Sequence, residues 1–196
     1  MRFLAVCQAC GKDLPNPAPP PCPHCRTPYC SDACREEHWL KHKSACRSVV
    51  DAGGAEKHYA RYRAREAAGF AASTYGVESG VCAVCPPPDD RPERRDRYKL
   101  PEPLVRACGC PGPQGLARIS SLAARAQAET EIFGEERAGQ PNPWQHCRRC
   151  QRPFHGAVRL ALAWLAWITY CDKPERSSER VDAMAALGVA LHRNGR

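Results

Sequence analysis

Apolar positions in this chain are gathered into a few stretches with different periods. From Ala157 to Cys171 they run almost all round, with Val158, Leu160, Leu162, Trp164, Leu165, Trp167, Ile168 and Tyr170 separated by alanines, Arg159 and Thr169. A membrane span needs about 20 such residues. This shorter run, carrying an arginine, predicts a helix buried inside the protein. Between Gly115 and about Arg137, Leu116, Ile119, Leu122 or Ala123, and Ala126 recur at helical spacing, and Pro141 and Pro143 end the pattern. From Glu179 to His192, Val181, Met184, Leu187 or Gly188, and Leu191 fall on one helical face. Residues 51–80 read as an Ala/Arg/Glu helix with a glycine-containing exit. The charged, proline-rich run from Pro86 to Arg97, followed by Pro101 and Pro103, predicts an exposed loop.

These stretches leave much of the chain without an apolar reason to fold. Of its 196 residues only 7% are aromatic, while 14 are glycine and 19 proline, so no single large core explains the whole. Fourteen are cysteine, and eight of those form Cys-x-x-Cys pairs: Cys7/Cys10, Cys22/Cys25, Cys82/Cys85 and Cys147/Cys150. The start, Met1-Arg-Phe-Leu-Ala-Val6, holds four consecutive apolar residues before Cys7, far short of the apolar stretch of a secretory signal. The expected compartment is therefore intracellular, cytoplasmic or nuclear, where closely paired cysteines are metal ligands rather than disulfides.

The first set is Cys7-x2-Cys10-x11-Cys22-x2-Cys25-x4-Cys30-x3-Cys34-x7-His42-x3-Cys46, eight ligands for two tetrahedral zinc ions. Ser31 or Asp32 is a plausible N-cap, and Glu36 and Glu37 early with Lys41 and Lys43 late suit a helix dipole through Cys46. On that helix His42 and Cys46, at i and i+4, face one ion. Cys34 and His42 would lie about 12 Å apart along the axis, too far to share one. Sequential pairing is excluded, leaving an interleaved and a nested scheme. Both sites are closed, so neither metal activates water.

The run Tyr29-Cys30-Ser31-Asp32-Ala33-Cys34 continuing to Trp39, His42 and Cys46, preceded by two knuckles, resembles a MYND-type zinc finger over residues 7–46. That resemblance implies the interleaved scheme: Cys7, Cys10, Cys30 and Cys34 on one zinc, Cys22, Cys25, His42 and Cys46 on the other. It also implies binding of short proline-containing segments of partner proteins, with Trp39 and the loop of Arg26, Thr27 and Pro28 as the expected contacts. His24 and His38 are surplus to the ligand set.

The second set, Cys82-x2-Cys85-x22-Cys108-x-Cys110 followed by Cys147-x2-Cys150, resembles the RING-CH variant of the RING finger. Where that family has a further His and Cys, this chain has Arg118 and Ser121, and a guanidinium cannot ligate a dication. The resemblance implies one complete zinc on Cys108, Cys110, Cys147 and Cys150. It leaves Cys82 and Cys85 as an incomplete fourth site, empty or completed by His146 or His155. Val84 and Pro153 stand where RING fingers contact a ubiquitin-conjugating enzyme. The piece from Met184 to Leu191 resembles the first helix of a tetratricopeptide repeat, expected here to pack on the helix of Ala157–Cys171, with Cys171 a buried thiol.

The formal charge of +8 suggests a polyanionic partner until metal is counted. A four-thiolate zinc site carries −2 and a three-thiolate, one-imidazole site −1, which lowers the balance to about +5. Nucleic acid is then a weak candidate. The expected molecule is a small zinc-stabilised α+β chain: a MYND-type finger (1–48), a helical linker (49–80), a degenerate RING-CH-like module (81–156) and C-terminal helices (157–196). Its expected role is that of a non-enzymatic protein-interaction adaptor without a membrane span. An E3 ubiquitin ligase is the one enzymatic alternative, and a nucleic-acid-associated regulator the other.

Overall fold

The computed structural model describes residues 6–84, 103–133 and 140–194. Cys85 and the proline-rich run after it, expected to be an exposed loop, lie outside those residues. The chain divides into two compact units, Met1–Tyr59 and Ala60–Arg196.

In the first unit two knuckles precede one long helix, α1 (Asp32–Asp51). Ser31 caps it by accepting from the Cys34 amide at 3.2 Å, and Asp32 pairs with Arg35 at 2.9 Å. It ends where Gly53 and Gly54 take positive φ, letting their amides bond back to Val50 and Val49. Only His42 and Cys46 of its side chains are buried. The interior of this unit is Cys7, Cys22, Tyr29 and Cys46, with Leu14 and further cysteines against them. Sulfur and one tyrosine ring therefore occupy the place of an aliphatic core.

The boundary between the units falls within α2 (Ala55–Tyr75). Inside the second unit α2 buries Ala60, Ala64, Ala67, Ala68 and Ala71, a stripe of small side chains that permits close packing. Three short antiparallel strands follow: β1 (Gly76–Val77), β2 (Leu104–Arg106) and β3 (Leu116–Ala117), with Gly76 opposite Val105 and Val105 opposite Ala117. Helices α3 (Ile119–Phe133), α4 (Gly156–Tyr170) and α5 (Ser178–Arg193) complete it, with α4 packed against both others.

Helix α4 is buried nearly all round, as its pattern predicts, and its Val158, Leu162 and Leu165 are among the most enclosed side chains. No described helix is long and apolar enough to cross a membrane. Two expectations need correction. The helix expected from Gly115 begins only at Ile119, because Leu116 is taken into β3 opposite Arg106. Gly115 stays outside it: a Cβ there would stand 2.6 Å from the Cys110 carbonyl oxygen, so the chain passes the cysteine loop only as glycine. On α5 the buried face is Ala183, Ala186 and Ala190, with Leu187 and Leu191 half-buried, while Val181 and Met184 are exposed. Helix α5 does lie on α4, but through alanines, because small side chains let two helices approach where Met and Val would hold them apart.

Candidate metal centres

Three Cys-x-x-Cys pairs share one backbone device. In each, the residue after the second cysteine takes a left-handed φ: 72° at Gly11, 61° at Arg26, 55° at Gln151. Its amide bonds to the first cysteine's carbonyl, at 2.8 Å in Gly11 to Cys7, 2.8 Å in Arg26 to Cys22 and 2.7 Å in Gln151 to Cys147. The first cysteine's amide bonds to the residue beyond, Lys12, Thr27 or Arg152. The turn points both sulfurs of a pair the same way. Cys-x-x-Cys-Gly announces such a turn in sequence; Arg26 and Gln151 carry no such signal, and their left-handed backbone was not foreseen.

Two of these knuckles meet the remaining ligand candidates of the first unit. Cys7 and Cys10 are brought to Cys30 and Cys34, and Cys22 and Cys25 to His42 and Cys46, the donor atoms of each four lying within 4.8 Å of one another. Cys30 stands just before the N-cap of α1 and Cys34 in its first turn, while His42 and Cys46 lie more than two turns farther along, as the helical rise requires. Sulfurs on one tetrahedral zinc at about 2.3 Å stand about 3.8 Å apart. Here Cys10–Cys30, Cys30–Cys34 and Cys22–Cys46 are separated by 3.6, 3.5 and 3.8 Å, and His42 Nε2 lies 3.2 Å from the Cys25 sulfur. Those are the edges of a zinc tetrahedron and far longer than the roughly 2.05 Å of a disulfide bond. His38 takes another post, its Nδ1 3.1 Å from the Tyr29 hydroxyl, and His24 is exposed.

The third knuckle brings Cys147 and Cys150 to Cys108 and Cys110, again with all four sulfurs within 4.8 Å, and Cys110–Cys147 at 3.8 Å. Cys82 belongs to no such group among the described residues; it is buried, and the Arg118 amide donates to its sulfur at 3.4 Å. Of the two histidines expected as surrogates, His155 precedes α4 and stacks on Tyr75 at 5.5 Å between centroids, and His146 pairs with Pro153 in an isolated β-bridge. Cys85 is outside the described residues.

The thiol chemistry of each group suits a cation. Burial pushes the Cys7 thiol up, but the backbone amides of Cys10, Cys30 and Ala9 turned toward it prevail and bring it down to about 6. Cys22 follows the same course to about 6, with burial opposed by the Cys25 amide, His42 and the His24 amide. Hydrogen bonds with the thiols of Cys34, Cys10 and Cys7 push Cys30 up to about 12, and burial followed by Cys22 and Cys25 does the same to Cys46. In the third group burial is opposed at Cys147 by the amides of Cys150 and Arg149, which lower it, whereas burial raises Cys108 and Cys110. Each knuckle thus stabilises a first thiolate, and its neighbours resist becoming further ones. A dication bound among them would allow four to coexist.

The pH dependence follows with a definite sign. Cys7 and Cys22, at about 6 against 9.0 unfolded, contribute stability that is complete above pH 9 and lost as pH falls through about 6. Cys30 and Cys46, at about 12, favour the ion-free fold below pH 9 and lose that contribution as pH rises through 12. A bound dication keeps them as thiolates and reverses their sign, so the metal-loaded finger weakens on acidification. Zinc release, followed with a chromogenic chelator, is expected to be complete by about pH 5; retained metal and an unchanged circular dichroism spectrum at that pH would contradict this.

Two closed tetrads, interleaved along the chain and tied by one helix, define a cross-braced zinc finger. Residues 7–46 match the family model of the MYND finger, a zinc finger of protein interaction. No curated protein and no solved structure matches the chain at a significant level.

Proposed function

We propose that this chain is a zinc-dependent adaptor whose finger binds a proline-containing segment of a partner protein, and that it holds three zinc ions. Those on Cys7, Cys10, Cys30, Cys34 and on Cys22, Cys25, His42, Cys46 fold the finger; the third, on Cys108, Cys110, Cys147, Cys150, ties β2 to the segment that leads into α4. The reading rests chiefly on the side chains the finger leaves in solvent. Trp39 is 48% exposed and Leu40 74%, although Trp39 lies within 6.2 Å, between ring centroids, of His42. An indole held near a metal-anchored ring and left open presents a flat face to a proline ring. Arg26 is exposed and Thr27 half-buried, with the Thr27 hydroxyl 3.0 Å from the Cys25 sulfur.

Trp39→Ala is expected to weaken binding of a proline-rich peptide by about tenfold or more, consistent with loss of an aromatic anchor. Isothermal titration of the zinc-loaded chain measures this, with zinc content as the control for folding. Equal affinity in the variant would place the contact elsewhere or remove it. The ubiquitin-ligase alternative has less behind it. Val84 is half-buried and Pro153 exposed, but Cys82 sits against the Arg118 amide where a second metal would be needed to shape the surface.

A further inference from the structure

Arg159 lies in the first turn of α4, is 7% exposed, and its Nε has no hydrogen-bond partner among the described residues. No ion pair satisfies it among the described residues. A buried guanidinium is ordinarily paired, because removing its charge from water is costly. The charge that acts on it is another cation: burial and then the neighbouring Arg193 both draw its affinity for its proton down.

The surroundings are those of an anion. Helical side chains lean toward the N-terminus, and the repulsion from Arg193 sets Arg159 on the side of α4 that the end of α5 approaches. At the first turn of α4 the amides of Gly156, Ala157 and Val158 receive no side-chain cap, and none bonds to a backbone carbonyl outside the helix among the described residues. Ala157 is 3% exposed and Val158 0%, so these donors sit in a buried stretch of the chain. The far end of α5 closes the corner: Asn194 Oδ1 is 3.5 Å from where a Gly156 Cβ would stand, and the Tyr75 hydroxyl 3.9 Å from it. Gly156 thus leaves room at the helix start that any other residue would fill. Arg193, adjacent to Asn194, is exposed.

We propose that this corner, formed by the start of α4, Arg159, Arg193 and the Tyr75 hydroxyl, binds a phosphate-class oxyanion. Two guanidiniums and a helix start supply charge and directed donors together, the combination that suits a tetrahedral anion with several acceptor oxygens. The anion is either free in solution or carried on a phosphorylated residue of a partner. All of the site's residues belong to the second unit.

The test uses the full, zinc-loaded chain. Inorganic phosphate is compared with chloride at equal ionic strength, and a phosphoserine peptide with its unphosphorylated form, by thermal melting and by 31P line width. Phosphate is expected to raise the melting point and broaden the phosphorus signal. Binding of phosphate alone identifies a free anion; preferential binding of the phosphopeptide identifies a partner residue. Arg193→Gln, at an exposed position, is expected to weaken binding by about tenfold. Arg159→Met is expected to abolish binding and, by removing a buried unpaired charge, to raise the melting point in phosphate-free buffer. No response to either probe, or an Arg159→Met chain that melts lower and still binds phosphate, would overturn the proposal.

Discussion

Cys46→Ser is expected to unfold the amino-terminal unit while the second unit stays folded. Cys46 is 3% exposed, offers its sulfur to the same cluster as Cys22, Cys25 and His42, and belongs with Cys7, Cys22 and Tyr29 to the buried cluster at the unit's centre. Serine would leave three donors and an unpaired hydroxyl in a space built for sulfur. Structural zinc contributes on the order of 10–16 kcal/mol of apparent folding free energy in small fingers, and this interior has no aliphatic cluster to compensate. Hydrogen exchange should show amides of α1 losing protection, with zinc content falling by at least one ion; chelation should unfold the same segment in the unaltered chain. Protected amides from Asp32 to Asp51 in the variant would mean that the metal is not what holds the helix.

Cys147→Ser is expected to cost one zinc ion and leave most of the second unit's helix content. The contrast comes from what surrounds each cluster. Around Cys108, Cys110, Cys147 and Cys150 stands a continuous apolar core that includes Val105, Ile119, Phe154, Val158, Leu162 and Leu165, and burial of such side chains contributes roughly 1.5–3 kcal/mol each. Native mass spectrometry should read three ions in the unaltered chain and two in the variant, with a lowered melting point and a retained helical spectrum. Three ions in the variant would show that Cys147 is not a ligand; four in the unaltered chain would show that Cys82 finds further donors.

Low aromatic content and abundant glycine and proline imply that some segments are held by metal in place of an apolar core. The first unit is such a segment, with cysteines and Tyr29 as its interior. The second has a core of its own, and alanine supplies much of it: Ala60, Ala64, Ala71, Ala123, Ala161, Ala163, Ala166 and Ala190 are all at most 1% exposed. Composition arithmetic undervalues alanine because each residue removes little area from water. Closely packed helices nonetheless bury every one completely.

Much of the metal chemistry was legible because ligand spacing is local. A Cys-x-x-Cys pair sets its own turn, and positions i and i+4 on a helix share a face whatever the rest of the chain does. The interior location of α4 was equally legible, since a helix apolar all round has one stable environment in water. The helix rise alone excluded sequential pairing, because Cys34 and His42 cannot reach one ion.

What the sequence could not contain is anything fixed by contact between distant segments. The choice between interleaved and nested clusters depends on how two knuckles fold onto α1. The start of α3 at Ile119 depends on Leu116 finding Arg106 across a strand, and the face that α5 buries depends on how near α4 can come. The corner at Gly156 joins residues from α2, α4 and the end of α5, and Arg159 reads in sequence as a lone blemish in an apolar run. Local spacing determines which groups bind and turn together; only the packed chain decides which of them meet, because burial, charge and reach belong to the assembled surroundings.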